Sequence, residues 1–363
     1  MQVLHIFLDG GIAAEHAIAL CAAGSKMGRF ASVAACPANS PLARRLAGSG
    51  LPVVPLSGTR TWYPGVWRRL AQAQGNYNFS IVHTHDDLAV GLGQKCRKAW
   101  PNVRWAHTWW ARPPVFKRAK ELAKFSLADM LIGLNQEAVG HLTAVGFEPA
   151  RLRSIPQGID PSVYPAWAAG DDSRIRFAAF GPLTPDSGRE VLLDALALFK
   201  ADNPELAWEL RLAGAGPLFD NLLCRATVAG IAEHMALLGP QRACDILPQC
   251  DILVAPDLRG EHGCDAIKQA WAAGLAVLCS DLPVHAEMVS EGVNGRIAPA
   301  GDVQALAGQL SELKNDPELR SRLARGGRES LKDYTLERMV ETYADLYSQL
   351  VSEDGAGQPG QEA

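Results

Sequence analysis

The chain has 363 residues, of which 48% are hydrophobic and 20% charged, and its net charge is −4. That length and apolar content supply two cores, and they exclude a disordered chain or a small scaffold held by disulfides. The mildly acidic total also gives no general attraction to nucleic acid.

Met1 leads directly into "VLHIFL" (3–8), with no basic leader before it. No run of about 20 apolar residues follows anywhere, so neither a signal peptide nor a spanning helix is expected. Further strand patterns are "ASVAAC" (31–36), "PVVPL" (52–56), "SIVHTH" (80–85), "VRWAHT" (103–108) and "MLIGL" (130–134). Between them, "IAAEHAIALCAAG" and "SPLARRLAGSG" have helical spacing and end at glycine. "PPVFKRAKELAKFSLAD" reads as a basic amphipathic helix with Pro114 in its first turn. Alternation of this kind predicts parallel βαβ units with right-handed crossovers.

The pattern halts at "RLRSIPQGIDPSVYPAWAAGDDS" (151–173), which is rich in proline and glycine and reads as a linker. It resumes with "IRFAAFG" (175–181), a helix over 189–201, "WELRLAG" (208–214), a helix near 217–229 and "MALLG" (235–239). Then come "ILVAP" (252–256), a helix after Glu261 closed by Gly274, "AVLCS" (276–280) and "GRIAPA" (295–300). Helices near 302–313 and 317–331 precede a last one, "TLERMVETYADLYSQLV". The tail "SEDGAGQPGQEA" reads as disordered. The predicted division is 1–154 for a first domain, 155–335 for a second, 336–351 for a last helix and 352–363 for the tail.

Eight cysteines, at 21, 36, 96, 224, 244, 250, 264 and 279, form no CxxC pair. Most lie in apolar runs, as buried thiols of a reducing cytoplasm do. From Arg60 to Lys124, twelve Lys/Arg face three Asp/Glu, and the same window holds six of the nine Trp. Either an anionic partner or membrane surface meets this window, or it is a solvated face over a Trp-containing core. No RNA- or DNA-binding module is present.

Several stretches carry chemistry. Gly10 and Gly11 follow the first strand and let a backbone approach a phosphate or sugar closely, although a plain turn has the same composition. Gly214, Gly216 and Pro217 form a strand-to-helix turn, a fragment of a dinucleotide fingerprint with no complete one in the chain; that argues against a nicotinamide enzyme. In "RGEHGCDAIKQAWAAGLAVLCSD" an acid, Glu261, stands at the mouth of a helix. Free N–H groups there suit a diphosphate or a sugar oxygen. "HTHDD" (83–87) has metal-ligand residue types, but the strand is ending there and no second cluster supports it, so no metal is expected.

In order, "IPQGID", "FGPLTPDSGREVLLDAL", "LRLAGAGP", "CDILVAPDLRGEHG", "QAWAAGLAVLCSD", "EMVSEGVNGRIAPAGDVQALA" and "YTLERMVETYADLYSQL" span roughly 155–350. Together they resemble the carboxyl-terminal domain of a retaining glycosyltransferase of the group 1 family. The first half is similar more loosely, through "DGGIAAEHAIAL" and "IVHTHDD". The resemblance implies the GT-B fold: an α/β chain of two doubly wound, Rossmann-like parallel-sheet domains facing a cleft, with the last helix, 336–351, crossing back to the first domain. It also implies transfer of a sugar from a nucleotide diphosphate sugar to a hydroxyl acceptor, a glycan or lipid-linked one, with retention. The donor would sit mostly on the second domain and no cofactor would be needed. Peripheral contact with the inner membrane face would run through 60–124.

By the same resemblance, Glu261 holds the sugar; the alternative reading of the residue by itself is a solvent-facing loop acid. Gly181, His262, Gly263, Cys264 and Asp265 would surround donor oxygens, with Gln269 at the ribose where the family carries Glu. The family's Arg and Lys for the diphosphate fall on Pro182 and Ser187, neither of which carries positive charge. Arg189, Arg259 and Lys268 are the nearest replacements; Lys268 points away from Gln269 on an ideal helix, and Arg189 is the first choice. Aligning "HTWW" on the family's His-bearing segment puts Trp110 at the His position. His107, three residues earlier, then reads either as a catalytic-side polar group or as a core histidine. Trp109 and Trp110 suit sugar stacking or plain packing. These departures also motivate an alternative, a non-catalytic relative that binds a sugar or nucleotide or acts as a scaffold.

Overall fold

The structure is a computed structural model that describes residues 1–9, 12–58, 64–110, 123–165, 174–260 and 262–352. It divides into two compact units, Met1–Gly158 with the chain from Leu336 onward, and Ile159–Thr335.

In the first unit, β1 (Gln2–Ile6), β2 (Ala31–Pro37), β3 (Val53–Leu56), β4 (Ile81–Thr84), β5 (Arg104–Trp109), β6 (Met130–Gly133) and β7 (Leu152–Ser154) form one sheet. Their order is β3-β2-β1-β4-β5-β6-β7, and every neighbouring pair is parallel. The helices between them are α1 (Ile12–Lys26), α2 (Pro41–Gly48), α3 (Pro64–Tyr77), α4 (Val90–Ala99) and α5 (Gln136–Val145). Local chemistry sets their ends. Ser40 accepts the N–H of Ala43 at 3.0 Å, with Pro41 in the first turn of α2. Asn135 accepts the N–H of Ala138 at 2.8 Å, and Gly146 closes α5 at φ 109°. Strand β7 falls in the stretch that the sequence marks as a linker. Three residues are too short to carry a strand period, and pairing with β6 defines it. The expected basic helix at 113–129 lies largely outside the described residues.

The second unit repeats the scheme. Strands β8 (Ile175–Phe180), β9 (Trp208–Ala213), β10 (Met235–Gly239), β11 (Ile252–Ala255), β12 (Ala276–Ser280) and β13 (Arg296–Ala298) are all parallel, in the order β10-β9-β8-β11-β12-β13. Its helices are α6 (Arg189–Asp202), α7 (Phe219–Val228), α8 (Ala243–Ile246), α9 (His262–Ala273), α10 (Pro283–Ala286), α11 (Val303–Asn315) and α12 (Pro317–Ser330). Strands β11 and β12 are buried along their whole length, because helices cover both faces of the sheet.

The last helix, α13 (Leu336–Ser352), belongs to the first unit. Met339, Val340, Tyr343, Ala344, Tyr347 and Leu350 form a stripe at helical spacing, buried against Val3, Leu20, Phe30, Ile81 and Ala106. Among the described residues, no helix is long and apolar enough to cross a membrane.

In each sheet the strand order reverses once, between β1 and β4 and between β8 and β11. The crossovers leave to opposite sides there, which opens a crevice beyond the carboxyl ends of those strands. The candidate residues are best judged by their positions relative to these two places.

Candidate active site

At the reversal in the second unit, the turn after β8 meets the turn after β11. The N–H groups of Leu258 and Arg259 both donate to the carbonyl of Asp186, at 2.8 and 3.3 Å. This fixes the start of the loop that leads to Glu261 and α9. Glu261 itself, the side chain of His262, and Gly10 and Gly11 lie outside the described residues.

Gly263 is buried in the first turn of α9. A Cβ there would stand 2.4 Å from Asp257 Oδ2, 2.9 Å from His285 Nε2 and 3.0 Å from the Ala255 Cβ. The glycine therefore allows a helix mouth to rest directly on a buried carboxylate and imidazole. Cys264, Asp265 and Gln269 follow on α9, all half-buried. Lys268 is buried and its ammonium pairs with Asp265 at 2.7 Å, so it does not serve the ribose position.

The turn after β8 carries Gly181 and Pro182, both half-buried. Gly214 and Gly216 pack against it: a Cβ on Gly214 would lie 1.9 Å from the Gly181 carbonyl oxygen, and one on Gly216 2.4 Å from that of Leu183. Both absent side chains thus serve the contact between two turns. Ser187 is fully buried and donates its hydroxyl to the Thr184 carbonyl at 2.7 Å, inside its own turn.

Arg189 corrects the sequence reading. It is 1% exposed, and its guanidinium donates to the Phe180 carbonyl. Burial lowers its pKa and the nearby Asp257 charge opposes that shift. It is therefore an enclosed cation beneath the turn and not a side chain extended into solvent. The helical spacing that places Arg189 two residues beyond Ser187 holds, but the first residue of α6 points inward here.

Asp257 and His285 went unnoticed in the sequence. Both are fully buried, and His285 Nε2 lies 3.3 Å from Asp257 Oδ2. Nδ1 of the same ring lies 3.0 Å from the Ser280 carbonyl oxygen and 3.2 Å from the Ser280 hydroxyl. An acid directly after the apolar run "ILVAP" is the one available sequence signal. Nothing in "LPVHAE" marks its histidine.

In the first unit, His107 is a core histidine. It is 1% exposed, 2.9 Å from the Thr84 hydroxyl and packed 4.9 Å from the Phe125 ring. Burial, with the charge of Lys124 adding to it, pushes its pKa down to about 3. That overturns its candidacy as a catalytic group: β5 is a central strand buried on both faces, so neither face leaves a side chain open to a ligand. Trp109 is buried against Phe125, and Trp105 is fully buried with its N–H donated to Thr84 at 2.9 Å. Trp110 is half-buried beside His16. Trp67 stacks on Trp100 with Lys95 above it, so the described part of the Trp-rich window is mostly packing.

The "HTHDD" histidines join a buried network. His5, His83 and His85 offer ligand atoms within 4.8 Å of one another. However, His83 uses both nitrogens, on Tyr347 at 2.6 Å and Thr108 at 2.8 Å, and His5 Nδ1 is 2.9 Å from His85 Nε2. A metal would have to displace these bonds. Asp86 has a separate task. It accepts the N–H groups of Leu8 at 2.6 Å, Asp9 at 3.2 Å and Ala89 at 2.9 Å, tying the end of β1 to the start of α4.

Comparison with known proteins agrees with this geometry. The family described as Glycosyl transferases group 1 matches residues 170–330, and Glycosyltransferase Family 4 matches residues 10–163. Putative glycosyltransferase EpsD of Bacillus subtilis is 28% identical over 321 residues, covering 80% of this chain and 81% of that protein. Exopolysaccharide phosphotransferase of Streptomyces coelicolor is 27% identical over 227 residues, which is 62% of this chain and only 24% of that protein. Among solved structures, Anabaena HepE in complex with UDP and glucose superimposes with a TM-score of 0.80 at 17% identity, over 96% of this chain and 100% of that one.

Proposed function

The chain belongs to the group 1 glycosyltransferases of the GT-B fold, and from that premise we propose that it moves a sugar from a nucleoside diphosphate sugar, held on the second unit, to a hydroxyl of a glycan or lipid-linked acceptor, with retention of configuration. The observation that carries the donor assignment is the first turn of α9. Its glycine lies at the carboxyl edge of β11, beside the point where the strand order reverses. Helix-start N–H groups and the positive end of the helix dipole suit a diphosphate there.

Within this reading Glu261 orients the sugar and Gln269 contacts the ribose through its amide. The acceptor hydroxyl attacks the anomeric carbon on the face that the diphosphate leaves, and a departing phosphate oxygen takes its proton. Developing charge on the diphosphate is met by main-chain N–H groups, and no metal ion takes part. Uridine diphosphate sugars are the first donors to try, because the HepE structure holds UDP and glucose.

Calorimetry with uridine, guanosine and adenosine diphosphates and their glucose and mannose conjugates tests the reading, followed by NMR of any transferred or hydrolysed sugar. Binding of one base series and release of an α-configured product from an α-configured donor is the expected result. Failure of every nucleotide to bind would remove the donor site.

A further inference from the structure

A separate concavity lies in the first unit, at the amino ends of its strands. Arg104 opens β5, Asp129 stands directly before β6 and Arg151 directly before β7, while Arg97 and Lys98 lie in the last turn of α4. With Leu350 of α13 they line a pocket of about 510 Å³. That volume holds a small anion together with part of its carrier. Arg97, Lys98 and Arg104 come from the basic window of the sequence, and the fold brings Arg151 to them.

The charges in this lining do not balance. Among the described residues, four cationic side chains and one carboxylate line the pocket, which leaves three positive charges. The carboxylate is also fully used. Asp129 Oδ2 accepts Arg97 Nε at 2.9 Å and the Trp105 N–H at 2.8 Å. Its Oδ1 accepts Arg97 Nη2 at 3.3 Å and Arg104 Nη1 at 3.1 Å. Both lone pairs of each oxygen are then occupied, and Asp129 has nothing left for Lys98 or Arg151.

Arg151 is held in another way. Its Nη2 donates to the carbonyls of Phe125 at 3.1 Å, Ser126 at 3.3 Å and Ala128. These bonds fix the guanidinium against the segment before β6, and its Nε and Nη1 make no bond to the described residues. A guanidinium anchored through one nitrogen offers its remaining N–H edge as a preorganised fork for an oxyanion. Lys98 is exposed, and no acid pairs with it among the described residues. Tying the strand starts together accounts for Arg97 and Arg104. It does not account for a third guanidinium and an ammonium in the same concavity, where like charges repel unless an anion lies among them.

We propose that this pocket binds a phosphate group, carried by a small molecule or a lipid headgroup. Arg151 and Lys98 are its direct ligands, and Arg97 and Arg104 supply fixed neighbouring charge. A phosphate monoester carries about two negative charges and a carboxylate one, so the surplus favours the phosphate. The pocket lies at the opposite strand ends from the crevice between β1 and β4, and it does not rest on the donor assignment.

Arginine side-chain NMR of the intact chain, with inorganic pyrophosphate as the probe, reads the pocket itself. Arg151→Lys identifies the Arg151 Nε–H signal by removing it. In the native chain that signal should move saturably as pyrophosphate is added. Lys98→Gln should weaken this binding about tenfold, the scale of one charge-assisted contact, with an unchanged melting curve. Arg44→Gln removes an exposed charge on α2, before β3 at the far edge of the sheet, and should leave the affinity as it is. An Arg151 signal that does not move, or equal affinity in the native chain and Lys98→Gln, overturns the proposal. Pyrophosphate held at the donor site leaves the Arg151 signal in place, so the two readings fail separately. Vesicles of phosphatidylglycerol in phosphatidylcholine then distinguish the sources. Co-sedimentation that pyrophosphate reverses and Lys98→Gln reduces identifies a lipid headgroup. A retained pyrophosphate response without co-sedimentation identifies a soluble phosphate compound.

Discussion

Nδ1 of His83 lies 2.6 Å from the phenol oxygen of Tyr347, so a central strand and the last helix share one buried hydrogen bond across 264 residues of chain. The same ring holds Thr108 through its other nitrogen at 2.8 Å. The last helix is therefore attached to the first unit by a directional polar contact as well as by its apolar stripe.

Tyr347→Phe keeps that stripe and removes the hydroxyl. It should leave His83 Nδ1 without a partner and cost the first unit about 1–3 kcal/mol. Hydrogen exchange resolved by segment would show it as faster opening of β4 and α13, with 159–335 unaffected. Equal protection in both chains would mean that the bond contributes nothing.

Acid should open the first unit. Burial holds His5 at about 3 and keeps His83 and His85 well below 6.5, with neighbouring imidazole charges adding to the effect. Their folded values lie under the unfolded one, so the unfolded chain takes up protons first as pH falls. Stability is complete above about 6.5 and is lost progressively toward about 3, at up to about 1.4 kcal/mol per pH unit for each such ring. Protease sensitivity of residues 1–158 should rise between pH about 6 and about 4.5. No change across that interval would contradict the neutral assignment.

Gly263→Ala places a methyl group 2.4 Å from Asp257 Oδ2. The first turn of α9 must shift, at about 1–3 kcal/mol, and nucleotide affinity should fall with it. Adding Asp257→Ala should restore part of the lost stability if the conflict is steric. A double variant as unstable as the sum of the singles would argue for another cause.

Arg189→Met should destabilise the second unit by about 3–5 kcal/mol, because it leaves the buried Asp257 without the enclosed guanidinium whose charge opposes it. A melting curve of the second unit, followed through Trp208 or Trp271 fluorescence, checks this. A variant as stable as the parent would mean that the arginine is not part of a charge balance.

Glu261→Ala should reduce sugar transfer about a hundredfold or more while leaving the melting curve unchanged. Retained transfer would remove Glu261 from the sugar contact.

Where the sequence was read correctly, single elements carried enough information. "ILVAP" and "AVLCS" are continuous apolar runs of strand length, and β11 and β12 are indeed buried on both faces. The stripe of "TLERMVETYADLYSQLV" matches the face that α13 buries. Misreadings arose where orientation mattered. His107 and Trp109, two residues apart, share one face of β5, and only the neighbouring elements decide that this face is enclosed. Arg189 begins a helix, where a basic residue usually faces solvent, and the turn before it rotates the side chain inward.

Apolar spacing, glycine-closed helices and capping residues by themselves determined two doubly wound parallel sheets, because those signals act over a few residues and do not depend on distant partners. The tertiary structure alone decided that Asp257 and His285 come together and that Arg189 is enclosed within electrostatic reach of Asp257. Each stands just beyond a strand or at a helix start, and their meeting depends on β8, β11 and β12 lying side by side. Charges in such a group are defined by their neighbours' distance and by the exclusion of water, and neither quantity is present in the order of residues along the chain.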